Sequence, residues 1–209
     1  MTQAYPDLST KLTLPDGTTR SIPEVRAIID DYRTIAPAVF DLYDLPNGGP
    51  HDEVLAIDLL APNALNTWGA GQPMSAMTEA WRRRDEIADV VRPVSKSSLE
   101  DLDDAQLTLE VQKVGDALDV IDSIRGFGST ASAKLFHRLR PNLGPIWDNR
   151  VAGWYATSVK EPWVPWVKRV YDQVRAPGTL SCLLAMRAHV GRTLSVLRIW
   201  DIILWQLKG

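Results

Sequence analysis

The chain has 209 residues, 45% hydrophobic and 23% charged, with a formal net charge of −3 and one cysteine, Cys182. This length and apolar content suit one domain around one substantial core, and the acidic balance excludes a protein that coats nucleic acid by global basicity, so any such contact must be local. A lone cysteine excludes an internal disulfide framework and a cysteine-ligated zinc or iron–sulfur centre built by this chain alone, as expected of a protein of the reducing cytoplasm.

The first residues lack a basic segment followed by an apolar run, so no secretion signal is read. Lys11 to Leu14 and Thr18 to Ile22 flank Pro15-Asp16-Gly17, which predicts a small β-hairpin and the only sheet. Ser21, Pro23 and Glu24 form a helix start, and Val25, Ile28, Ile29, Tyr32, Ile35, Val39, Phe40 and Tyr43 recur at helical spacing. A second helix is predicted over 52–60, stopped near Pro62, and a third over 74–91 with Arg82, Arg83 and Arg84 on a solvated face. After Pro93 a polar, acidic stretch, 93–104, marks the place where two helical halves would join, with Ser98 and Asp101 as a capping box. Leu107, Val111, Val114, Leu118 and Ile121 then fall at spacings of four and three, one apolar helix face running to about Ile124. Further helices are predicted over 149–158, 163–174 and 180–207, the last breaking at Gly191. The apolar stretch 194–207 is too short, and too interrupted by Arg198 and Asp201, to cross a membrane. The fold class is all-α, a helical bundle.

Between two helical patterns lies Arg125-Gly126-Phe127-Gly128-Ser129. Glycines there permit positive φ and close backbone approach, so the spacing predicts a tight helix-hairpin-helix element. A helix beginning near Ser129 would present free N–H groups and a positive dipole end to an anion such as a phosphate. From Asp122 to Arg150 five cations (Arg125, Lys134, Arg138, Arg140, Arg150) stand against two aspartates, a local net +3 on an acidic protein. A basic patch would bind the DNA backbone locally and with strong salt dependence; the bland reading is a helix connection with an exposed basic face.

Extended through Leu135-Phe136-His137-Arg138-Leu139-Arg140-Pro141-Asn142-Leu143-Gly144 to Pro145-Ile146-Trp147-Asp148, the segment resembles the hairpin and active-site region of the helix-hairpin-helix DNA glycosylase superfamily. The resemblance covers about 119–155. It implies double-stranded DNA as partner, held at Gly126, Phe127, Gly128, Ser129 and Lys134. It also implies an aspartate about twenty residues beyond the second glycine, here Asp148, acting on the sugar of a flipped-out nucleotide. Trp147, Trp154, Tyr155 and His137 would then contact the extruded base. Arg125 departs from the family's usual proline-glycine start, and Ala131-Ser132 replaces its threonine-alanine. Ser129 and Thr130 stand where strand-cleaving members carry lysine, which argues against lyase chemistry and leaves a monofunctional N-glycosylase, needing no cofactor or metal. Two alternatives stand beside it: a catalytically silent relative that keeps the hairpin for DNA binding, and a helical protein with no nucleic-acid role.

Asp148 directly precedes Asn149-Arg150-Val151 and is equally a good N-cap, a role compatible with catalysis. The three histidines, His51, His137 and His189, lack metal-ligand spacing. Arg198 and Asp201, three apart on a helix apolar nearly all round, predict a buried structural pair. Their setting, Leu197 to Asp201, also resembles a group of uncharacterised actinobacterial proteins, a likeness that brings no activity with it.

Overall fold

A computed structural model describes residues 10–35, 43, 49–64, 74–155, 161–190 and 194–207. The predicted hairpin is present: β1 (Lys11–Thr13) pairs antiparallel with β2 (Thr19–Ser21), Leu12 opposite Arg20. Gly17 supplies the positive φ of the turn, +82°. α1 (Ile22–Ile35) follows at once, its start fixed by Glu24, whose carboxylate accepts from both the backbone N–H and the hydroxyl of Ser21 at 2.7 Å. Ile22, Val25, Ile29 and Tyr32 form its buried stripe. The predicted continuation through Val39 and Phe40 lies outside the described residues.

Several boundaries differ from the sequence reading; the helix predicted over 149–158, for one, ends at Trp154. α2 spans Ala56–Ala64 and runs past Pro62 instead of stopping there; its start is braced by Asp58, whose carboxylate accepts from Leu55 N–H. The 74–91 segment is two helices, α3 (Met74–Arg82) and α4 (Arg84–Val91). Arg83, at φ −94° and ψ 12°, leaves the helical region between them, and its guanidinium bridges Glu86 and Ser123 Oγ. The capping box belongs to Asp103 and Gln106: each side chain accepts from the other's backbone N–H, whereas Ser98 caps nothing and precedes a 3₁₀ turn over Leu99–Asp101.

That box starts α5 (Asp104–Asp122), the longest described helix. α6 (Gly128–Leu139), α7 (Asn149–Trp154), α8 (Trp163–Arg175), α9 (Pro177–Val190) and α10 (Val196–Leu207) complete the chain. α5 packs between α4, α6 and α8, while α10 packs on α1 and α9. The α5–α8 crossing is close because Gly115 has no side chain: a Cβ there would stand 2.3 Å from Val164 Cγ2. One contiguous core runs from Leu12 to Leu204 and takes in Val94, Leu99 and Leu102 of the polar 93–104 stretch. No described helix is long and apolar enough to cross a membrane.

Candidate functional site

The hairpin forms as its glycines require. Gly126 and Gly128 have φ of +82° and +73°, a region that costs a side-chain-bearing residue roughly 1–2 kcal/mol. Ile124 and Phe127 plug the turn into the core, 1% and 3% exposed, which leaves Arg125, Gly126 and Gly128 at the surface. Phe127, expected among the DNA contacts, is therefore an anchor. It also provides no side-chain cap for α6, so the first-turn amides of that helix are not taken by its N-cap residue. An intramolecular anion stands beside that turn: Asp122, at the end of α5, accepts from the hydroxyls of Ser129 (3.2 Å) and Ser132 (3.4 Å).

The basic patch expected from the local +3 does not exist as a surface. α6 is buried along its whole length from Ala131, because α2 and α5 pack on it, and its cations turn inward. Lys134 is 4% exposed; burial lowers its affinity for a proton, opposed by the nearby carboxylates of Asp148 and Asp201. A DNA contact by Lys134 is thus excluded by its placement. Arg138 donates to Tyr43 O (2.7 Å) and to the fully buried Asp58. Arg140 donates to the carbonyls of Val94 (3.0 Å), His51 and Leu139 and to Asp52 (2.7 Å), tying the loop before α2 to the stretch after α4. Arg125 and Arg150 alone of the five cations are exposed, Arg150 lying 4.2 Å over the Trp205 ring.

His137 is likewise internal. It stacks on Tyr43 at 5.9 Å, its Nδ1 donates to Gly144 O (2.6 Å), and burial pushes its pKa down to about 3, so it is a neutral packing group and not a base contact. Beyond it the chain turns back on α6: Gly144 N–H donates to Arg140 O at 2.7 Å and Tyr171 OH to Leu143 O. This clamp delivers Asp148 to the start of α7. Asp148 Oδ1 accepts from Arg150 N–H and Val151 N–H, both at 2.9 Å, so the N-cap reading holds. Among the described residues Oδ2 accepts no hydrogen bond, and the side chain is half-buried, so capping leaves one carboxylate oxygen uncommitted.

Of the four residues expected at an extruded base, Trp147 borders a cavity. Trp154 donates to Leu204 O (2.8 Å), and Tyr155 OH accepts from Trp200 Nε1 (2.9 Å); both are thereby committed to packing α7 on α10. The cavity, about 210 Å³, is lined by Asp119, Asp122, Ser129, Trp147, Glu161, Pro162 and Trp163. It joins the hairpin, through Ser129, to the Asp148 segment, through Trp147. Sequence reasoning passed over Asp119, Asp122 and Glu161 as site residues; the spacing of Asp116, Asp119 and Asp122, three apart and hence on one helix face just before the glycines, was the available signal.

Deeper in, Arg198 and Asp201 form the expected buried pair at 2.5 Å, and Arg198 also reaches Tyr32 OH (3.1 Å). Burial pushes the Asp201 carboxyl up to about 7 against the pull of Arg198, with Asp148 adding to the rise. A raised acid favours the folded state at low pH, and that contribution is lost as pH climbs from the unfolded value near 3.8 towards 7. His137 acts oppositely, because it stays neutral when folded while the unfolded chain takes up a proton below about 6.5. The two slopes oppose each other between about pH 4 and 6.5. Asp201→Asn is expected to gain stability relative to wild type by about 1.4 kcal/mol per pH unit across that range. Urea unfolding at pH 4.5 and 6.5 measures it, and parallel curves for the two proteins would refute the assignment.

A family described as a family of unknown function (DUF6308) matches residues 25–208, a span that takes in the hairpin, Asp148 and the Arg198–Asp201 pair. No curated protein and no solved structure matches the chain.

Proposed function

The chain belongs to the family of unknown function DUF6308, and we propose from its geometry that it is a DNA-binding protein of the helix-hairpin-helix type, with Asp148 as the carboxylate of a monofunctional N-glycosylase. The observation that carries the reading is the Asp148 side chain: one oxygen is pinned by two α7 amides, the other accepts no hydrogen bond among the described residues, and the group is half-buried. A fixed carboxylate of this kind stabilises positive charge developing on a deoxyribose and orients a water against it. The hairpin supports the same reading, since Gly126 and Gly128 keep a bare backbone at the surface and the start of α6 lacks a side-chain cap. With Lys134, Arg138 and Arg140 inside, the phosphate contact falls to the exposed amides, Ser129 and Arg125. A silent relative that only binds DNA is the second reading, favoured by the acidic groups beside the hairpin.

Duplex binding is expected to weaken steeply with salt, and Arg125→Ala to lower the slope of log K against log salt by about one. Gly128→Ala meets no atom within 4 Å, so its effect comes from backbone strain; it should cost roughly 1–2 kcal/mol of stability and weaken binding. Mobility shifts at two salt concentrations measure both. Binding indifferent to salt and to these two changes would remove the DNA reading. Base release from a panel of modified duplexes then separates catalysis from binding.

A further inference from the structure

We infer that His51 is a pH-operated latch: with both ring nitrogens protonated it fastens the loop before α2 to the buried Asp58, and as pH rises and one proton leaves, that loop loosens. The inference goes beyond the DNA reading and stands without it, since it rests neither on the hairpin nor on Asp148.

The ring stands between two oxygens. His51 Nδ1 is 2.6 Å from the carbonyl oxygen of Glu53, and Nε2 is 3.5 Å from Oδ2 of Asp58. A neutral imidazole carries one proton and one lone pair. Whichever nitrogen kept the proton, the other would turn its lone pair on an oxygen, Nε2 on a carboxylate in one tautomer and Nδ1 on a carbonyl in the other. Only the imidazolium offers a proton to both. At 3.5 Å the Asp58 contact is an ion pair, and Nε2 is sealed from solvent, so charge is what compensates it there. The rest of the side chain is 23% exposed, which leaves the ring a route for proton exchange with water.

The surrounding charges favour the protonated ring. Asp58, on α2, is fully buried and accepts from Leu55 N–H (2.9 Å) and, at 3.4 Å, from Arg138 of α6. Among the described residues the other charged groups about His51 are Asp52 and Glu53 of its own loop, Arg140 at the end of α6, and Lys96 after α4. Glu53 is exposed, and Asp52 is balanced by Lys96 (2.6 Å) and Arg140 (2.7 Å). Asp58 raises the proton affinity of His51 above its ordinary value, against burial and the Arg138 charge.

What the latch holds is the seat of α2. His51 N–H donates to Leu139 O (3.3 Å), the Arg140 guanidinium donates to His51 O, and Val54 is set into the core. One turn on, Ala61 of α2 clusters with Tyr43 and Ile146, so this helix also backs the segment that leads to Asp148. A histidine whose folded proton affinity is raised contributes stability that is fully present below the unfolded value of 6.5 and is lost as pH rises through its folded midpoint. The loop is therefore fastened in acid and loosened in base.

The test is an NMR titration of the full chain, with the His51 ring signals assigned by their loss in His51→Gln, joined to hydrogen exchange at the His51 and Leu55 amides. The His51 midpoint is expected above 6.5, with both ring nitrogens protonated below it, and Asp58→Asn should lower it. Asp58→Asn also takes a partner from the buried Arg138, so the wild-type midpoint, which needs no variant, decides if that protein does not fold. Between about pH 6 and 9, protection at the two amides, corrected for intrinsic exchange, should fall in wild type relative to His51→Gln. The relative loss should be about tenfold for each unit by which the midpoint exceeds 6.5, because one titration governs both. Comparison with His51→Gln cancels the other groups that titrate in this range, Asp201 among them. The inference is overturned by a His51 midpoint at or below 6.5, by a folded Asp58→Asn that leaves the midpoint unchanged, or by protection that declines in parallel in wild type and His51→Gln.

Discussion

Gly144→Ala is expected to destabilise the protein by about 3–4 kcal/mol, near the upper end for a single added methyl, because the collision is with main chain. A Cβ at this position would stand 2.6 Å from His137 Cα, 2.9 Å from His137 N and 3.0 Å from Arg140 O. None of these atoms belongs to a side chain that can swing away, and α6 cannot retreat, since it is buried from Ala131 to Leu139. The loop must lift instead. It would lose the Gly144 N–H to Arg140 O bond, the His137 bond to Gly144 O and the Tyr171 bond to Leu143 O, and with them the placement of Asp148. Gly128→Ala is the internal comparison, because its Cβ would enter open space. Urea midpoints measure both, and equal losses for the two variants would show that close packing at Gly144 is not what holds the loop.

The second large effect is on chemistry. Asp148→Asn keeps an oxygen that can accept from Arg150 N–H and Val151 N–H, and asparagine ranks with aspartate as an N-cap, so stability should change little. Asp148→Ala loses the cap and about 1 kcal/mol. Under the proposed N-glycosylase function, base release should fall by on the order of 10²–10³ in both, because neither side chain carries a charge with which to stabilise a sugar cation. The pair therefore separates cap from catalyst: stability divides the two variants and activity does not. Base release by Asp148→Asn at the wild-type rate would rule out the carboxylate role.

How far the sequence could be read depended on whether a feature is local. The Ser21–Glu24 helix start, the Asp16-Gly17 turn and the Asp148 cap are made by residues within three positions of one another, so local chemistry specifies them. The positive φ of Gly126 and Gly128 belongs with these. The boundaries that moved were those where a competing local signal lay close by: Asp103 and Gln106 outdid Ser98 and Asp101, and Arg83 broke a run that periodicity alone makes continuous. Charge was the least legible property. Lys134, Arg138 and Arg140 add to a basic segment on paper, but all three are buried, and the partners of Arg138 and Arg140 lie far along the chain, at Tyr43, Asp58, Asp52, His51 and Val94. The acidic side of the hairpin was missed for the same reason: Glu161 joins Asp119 and Asp122 only through the packing of α8 on α5.

The sequence by itself determined an all-α chain with a small N-terminal sheet, a glycine hairpin between two helices and a capped helix at Asp148, because hydrogen bonds over three or four residues and helical apolar periodicity decide such features. Only the tertiary structure decided which side of α6 faces water. Packing α2 and α5 against it buried three cations, set Phe127 and His137 into the core, and left Trp147 on the wall of an acidic cavity. Burial is a property of all the neighbours together, and no short window of sequence contains them.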